Sequence, residues 1–204
     1  MRKKWGYVLG FVFILIIVTM CIGMGSNWYA AQRAQYYNNK TMVDLVHNHV
    51  PPIPHWVPEM MVWLGTLAFI ITSFALSQPY QWIQFIVLFC ILTLLKSIMV
   101  HATVFPTLHS YCDRPLFSPQ GNCNDYMFSG HMMMVTLAFL FMWKNHTVSM
   151  CFMALYLIIT ALVITASRNH YTVDVVVGFV LAVLVFNQLN PKLVQLLQNK
   201  INPY

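Results

Sequence analysis

Charged side chains are what this sequence has least of. They make up 8% of its 204 residues, and the acids number five: Asp44, Glu59, Asp113, Asp125 and Asp174. A soluble domain carries about 25% charged residues, so a water-facing globular surface is excluded. The net charge of +6 does not indicate nucleic acid, because the basic residues are scattered rather than gathered into a patch. Cysteine is sparse as well. Cys21, Cys90 and Cys151 lie inside apolar runs, where packing is their ordinary use. Cys112 and Cys123 flank one polar segment, and a bond between them is expected if that segment faces an oxidising compartment. No internal repeat or low-complexity tract is present. His47, His49, His55, His109 and His146 fall at no metal-ligand spacing, so they are expected to be polar loop residues, with no metal or cofactor.

What is abundant is apolar: 59% of the chain is hydrophobic. Six runs, at about 5–24, 60–76, 82–100, 126–143, 148–166 and 171–189, are near the minimum length for crossing the hydrocarbon core. A spanning segment must satisfy its own backbone polar groups, so each is expected to be a helix. The fold class predicted is an all-α integral membrane protein, a six-transmembrane helix bundle forming one domain over residues 1–204. The links at 77–81 and 144–147 are short, which predicts two tight antiparallel hairpins. The apolar core of the first run, from Val8 to Met24, is longer than the roughly 7–15 residues of a signal peptide core, so it is expected to stay as an anchor.

Positive residues set the expected orientation. With the N-terminus cytoplasmic, that side holds Arg2, Lys3, Lys4, Lys144, Lys192 and Lys200. The other side holds Arg33, Lys40, Arg114 and Arg168, with Lys96 near the outer end of the third run, and all five acids fall on or near it. Asn39-Lys40-Thr41 is a glycosylation acceptor pattern on that outer side, and Asn145-His146-Thr147 repeats the pattern on the cytoplasmic side.

Two histidine motifs stand on the outer side, each just ahead of an apolar run. The first is CNDYMFSGH, ending at His131; the second is SRNHYTVD, ending at Asp174. His170 and Asp174 are four apart and share a helix face. A carboxylate there can hold one imidazole nitrogen and leave the other as a nucleophile or base in a fixed tautomer. An acid about one turn into a span is costly and tends to be functional. His131 would be the second proton-handling group, although a lone His at a span end is ordinarily an interfacial residue. Ser129 and Gly130 could offer backbone N–H groups at a helix start, which favours an anion. Lys96, Arg114 and Arg168 are candidates to pair with phosphate oxygens, with snorkelling to the interface the competing reading for Lys96. Met132, Met133 and Met134 are expected to pack.

CNDYMFSGH and HYTVDVVV resemble the two catalytic motifs of the sphingomyelin synthase and ceramide phosphoethanolamine synthase family, within the type 2 phosphatidic acid phosphatase superfamily. VPPIPHWVPE and LKSIMVHATVFPTLHSYC resemble, more loosely, that family's proline-rich outer-loop motif and its third-span motif. The resemblance implies that His170 is the nucleophile, Asp174 its orienting carboxylate, and His131 the acid for the departing alkoxide and then the base for the acceptor. It implies a membrane phosphotransferase moving phosphocholine or phosphoethanolamine from a glycerophospholipid to ceramide or diacylglycerol; the charge bias and the one-sided acids put the expected active site at the non-cytoplasmic face. There are departures. Asn169 replaces an acid before the nucleophile, and His55 and Glu59 stand where the proline-rich motif often has aspartates. Two other readings remain open: a lipid phosphatase using water as acceptor, and a non-enzymatic lipid-binding protein. The phosphatase branch joins a Lys to an Arg-Pro pair at short spacing, and here Lys96 and Arg114-Pro115 lie far apart.

Overall fold

A computed structural model describes residues 2–36, 44–76, 80–103 and 128–201. They form seven helices: α1 (Arg2–Tyr36), α2 (Leu45–His49), α3 (Trp56–Ala75), α4 (Tyr80–Ala102), α5 (Gly130–Lys144), α6 (Met150–Ala166) and α7 (Thr172–Ile201). Among the described residues there is no strand.

α5 is the centre of the bundle, packed against α3, α4, α6 and α7. Ten of its fifteen residues are buried, including Met132, Met133, Val135 and Leu137. A helix apolar on every side fits only where it is enclosed on every side. Around it the core is aromatic. Phe69 of α3 lies 4.8 Å from Phe85 of α4 and 5.5 Å from Phe141 of α5. Phe141 in turn meets Phe186 of α7 edge to face at 5.0 Å, a geometry the ring quadrupoles favour.

Outward-facing positions are also apolar. Phe11, Phe13, Trp63, Phe74, Leu155 and Ile158 are all exposed, which suits lipid and not water. Four helices are long and apolar enough to cross a membrane, over Gly6–Ser26, Trp56–Ala75, Gln81–Ala102 and Thr172–Leu197. The protein is an integral membrane protein. α6 is equally apolar but has 17 residues, and α5 has 15. At 1.5 Å per residue α5 reaches about 22 Å, short of the roughly 30 Å hydrocarbon core.

The expected boundaries shift for local reasons. Within the run expected at 126–143, α5 starts at Gly130, because Ser129 is extended and its hydroxyl accepts from the Met132 N–H as an N-cap. The last run continues past 189 to Ile201, carrying Pro191 inside the helix. The first continues to Tyr36, and the short helix α2 was not expected. The α5–α6 connection is the tight turn expected. His146 sits at φ 56°, and the amides of Gln81 and Asn145 exchange two hydrogen bonds of 2.8 and 2.7 Å. Residues 77–79 of the other hairpin link lie outside the described residues.

Two glycines permit close helix contacts. A Cβ on Gly65 would meet Val135 Cγ2 at 2.8 Å, and one on Gly178 would meet the Ser129 carbonyl oxygen at 2.7 Å. The first obstacle is a buried β-branched side chain; the second is backbone at the start of α5. Gly178→Ala gains up to about 1 kcal/mol of helix propensity but overpacks a rigid contact, which costs about 1–3 kcal/mol. The expected net result is a lower melting temperature in detergent and a disturbed α5 start. An unchanged or higher melting temperature would show that α7 sits less tightly on Ser129 than the structure has it.

Candidate active site

The two histidine motifs meet through their backbones. α7 starts one residue after Tyr171, and the Ser129 N–H donates to the Asp174 carbonyl at 3.0 Å. Gly178, one turn further on, lets α7 press against that same residue. The result is that His131, second in α5, and His170, just ahead of α7, face each other. Their ring centroids are 5.7 Å apart and their planes 70° apart.

Each imidazole has a carboxylate beside it. Asp174 is fully buried, and its Oδ2 lies 3.8 Å from His170 Nδ1. That is ion-pair distance, longer than the hydrogen bond expected from the i,i+4 spacing. Oδ2 also accepts the Tyr171 N–H at 3.1 Å, so the carboxylate serves the helix start as well as the imidazole. His170 is 4% exposed, with its Nδ1 toward Asp174. His131 Nε2 lies 3.0 Å from Oε1 of Glu59, in the first turn of α3. His131 Nδ1 is buried with no hydrogen-bond partner among the described residues.

The other predicted residues divide. Lys96 reaches the site: its Nζ lies 3.5 Å from where a Cβ on Gly130 would stand. Gly130 opens α5, where the first N–H groups have no intrahelical acceptor. The Ser129 N–H is committed to Asp174 and the Ser129 hydroxyl to the Met132 N–H. Arg168 sits at φ 61° just past α6, a place glycine usually takes. Its Nη2 donates to the carbonyls of His47 at 2.6 Å and Val50 at 3.0 Å. Half of its guanidinium is therefore a strut; Nη1 is buried without a partner among the described residues. Arg114, Asp113, Asp125 and the pair Cys112 and Cys123 lie outside the described residues.

Residues that sequence reasoning placed in loops form a strap over the α6–α7 turn. Asp44 caps α2 by accepting from the Val46 and His47 N–H groups, at 3.0 and 3.2 Å. It also accepts from the Thr172 N–H at 2.6 Å and the Thr172 hydroxyl at 2.9 Å. His47 donates from Nε2 to the His170 carbonyl at 3.2 Å, and its ring lies 5.6 Å from that of Tyr171. His55 Nδ1 meets Oδ1 of Asn169 at 2.9 Å. Burial pushes the Asp44 carboxyl up, but hydrogen bonds from Thr172 and His47 outweigh it and leave the group below its ordinary value. Burial pushes the His47 imidazole down, and the nearby Arg168 guanidinium adds to that against the pull of Asp44, so the ring favours its neutral form.

Residues 122–191 match the family described as PAP2 superfamily C-terminal. A phosphatidylinositol:ceramide inositolphosphotransferase of Trypanosoma cruzi is 30% identical over 125 residues, covering 52% of this chain and 37% of that protein. One from Leishmania major is 25% identical over 169 residues, covering 67% and 50%. A phosphatidylethanolamine:ceramide ethanolaminephosphotransferase of Trypanosoma brucei brucei is 30% identical over 125 residues, covering 52% and 39%. The chain spans half or less of the length of these relatives. No solved structure matches.

Proposed function

We propose, for a chain of the PAP2 superfamily related to the ceramide phosphotransferases, that it moves a phosphorylated headgroup from a glycerophospholipid to ceramide. The observation that carries this is the opposed pair of imidazoles, 5.7 Å apart, each with its own carboxylate. A transferase that passes through a covalent intermediate needs a nucleophile and a separate proton donor, and this pair supplies one of each.

In the first half-reaction the His170 Nε2 lone pair attacks phosphorus and the bond to the diacylglycerol oxygen breaks. The proton on His131 Nδ1 goes to that oxygen, releasing diacylglycerol. In the second, the primary hydroxyl of ceramide gives its proton to His131 Nδ1 and its oxygen attacks phosphorus. The P–N bond breaks and both histidines return to their starting states. Asp174 holds the His170 ring and stabilises its positive charge while phosphorus is attached. Lys96, Arg168 and the start of α5 balance the phosphate charge.

The test is incubation of the purified protein with ceramide and, separately, phosphatidylcholine, phosphatidylethanolamine and phosphatidylinositol, with lipids read by mass spectrometry. A new sphingophospholipid from at least one donor is expected, with diacylglycerol released in equal amount. Free headgroup phosphate with no new lipid means that water is the acceptor, and the hydrolase reading replaces this one.

The same proposal has six crossings, with α5 as a short enclosed span and α6 as a short outer one, and the histidines at the non-cytoplasmic face. The lysine and arginine bias supports that orientation. His55 and His146 are both exposed and lie at opposite ends of the bundle. In a cysteine-free background, a cysteine at position 55 should react with an impermeant thiol reagent on intact cells, and one at 146 only after permeabilisation. The reverse pattern would invert the topology and move the chemistry to the cytoplasm.

A further inference from the structure

Helix starts attract anions, because their first N–H groups lack intrahelical acceptors and the macrodipole is positive there. Two helix starts, those of α5 and α7, converge on His131 and His170, and the protein treats them differently. At α7 both leading N–H groups end on carboxylates: that of Tyr171 on Asp174, and that of Thr172 on Asp44 at 2.6 Å. The second carboxylate is brought in from 128 residues away and clamped by the Thr172 hydroxyl as well. It is 7% exposed. α5 has no acidic residue in its first turn; its cap is the neutral Ser129, the Glu59 carboxylate meets the His131 side chain, and the Lys96 ammonium lies beside Gly130.

Helix capping alone does not require this asymmetry. A neutral Ser or Thr would cap α2 as well as Asp44 does, and water at the membrane surface could satisfy Thr172. A buried carboxylate bonded to Thr172, two residues after a phosphate-handling histidine, repels the substrate unless its charge is already balanced. Here it is balanced by the one helix start where a phosphate would be misplaced.

We infer that Asp44 is a positioning residue that reserves the amino terminus of α7, so that a substrate phosphate settles at the amino terminus of α5, beside Lys96 and between the two imidazoles. The inference rests on the phosphotransfer reading above and adds to it which helix start takes the anion. The strap of residues 44–50 is then part of the site and not only a cover over it.

Inorganic phosphate is the probe, with its affinity read from the shift of the melting temperature in detergent, a measurement that needs no turnover. Asp44→Asn removes the charge and keeps the shape; Asp44→Ser removes the charge and keeps a good cap for α2. Freed from its carboxylate, the α7 start should bind phosphate, tightening the affinity about two- to five-fold. Turnover of a nitrophenyl phosphodiester donor should fall in the same variants, by up to about 10²-fold for a phosphate held out of place. Thr172→Val leaves the carboxylate and its backbone bond in place, so its phosphate affinity should match that of the unmodified protein. Unchanged or weaker phosphate binding in the Asp44 variants overturns the inference. So does equal tightening in Thr172→Val, or loss of the folded state in both Asp44 variants, which would make Asp44 a purely structural clamp. If the unmodified protein makes no lipid product and cleaves no donor, the phosphotransfer reading fails, while the phosphate titration still reports on the α7 start.

Discussion

His170→Ala should abolish donor cleavage and transfer alike, on every substrate, because no covalent intermediate can form. His131→Ala should behave differently. Its loss is protonation of the departing diacylglycerol alkoxide, typically worth about 10²–10⁴-fold. A nitrophenyl phosphodiester leaves as a weakly basic anion and scarcely needs that proton. His131→Ala should therefore keep much of its donor-cleavage activity on the nitrophenyl substrate while losing it on a natural phospholipid. The geometry supports this division, since His170 is buried with Asp174 behind it. The comparison takes two mutants, each with a native-like melting curve, on two donors. Rescue of His170→Ala by the activated donor would reverse the two roles.

The carboxylates should separate in the same way. Asp174→Asn should leave the helix start formed, since an amide oxygen can still accept the Tyr171 N–H. It should cost about 10⁴ in turnover, the penalty known for the analogous aspartate of the serine proteases, where the amide fixes the wrong tautomer. The loss should appear on both natural and activated donors, because Asp174 acts on the nucleophile. Glu59→Gln acts on the proton donor. Its penalty should fall short of deleting His131, and should shrink on the activated donor. Initial rates of the two variants on both donors give the result. A Glu59→Gln loss as large on the activated donor as on the natural one would show that Glu59 holds the site together instead of holding His131.

The part of this site that could be read in the sequence was the part encoded locally. His170 and Asp174 are four apart, and a buried carboxylate one turn into an apolar helix is conspicuous by its cost. His131 follows a Ser-Gly helix start, and the same chemistry shows in the residue order. Glu59 and Asp44 could not be read, because their partners lie 72 and 128 residues away and nothing in a one-dimensional pattern reports such a pairing. Asp44, three residues before His47, looked like one more polar loop residue; only the fold shows it holding two helices. Arg168 was read as a phosphate ligand from its charge, but a positive φ and two carbonyl acceptors make half of it a strut. Helix ends moved for a similar reason. Capped by Ser129, α5 starts four residues later than the apolar run does, because apolarity continues across a boundary that backbone hydrogen bonding sets. The bundle was legible as helical from composition alone. The enclosure of α5, which lets a 15-residue helix be apolar all round, depends on neighbours that hydropathy does not identify.

Trapping the intermediate tests the central claim most directly. The purified protein would be mixed with a headgroup-labelled phospholipid donor, without ceramide, quenched within one turnover under alkaline conditions that preserve phosphohistidine, and digested for mass spectrometry. The account predicts the intact phosphorylated headgroup attached to the peptide containing His170, discharged on adding ceramide, and absent in His170→Ala. Label on His131, or product formed within the first turnover with no labelled histidine in the wild-type protein, would contradict it.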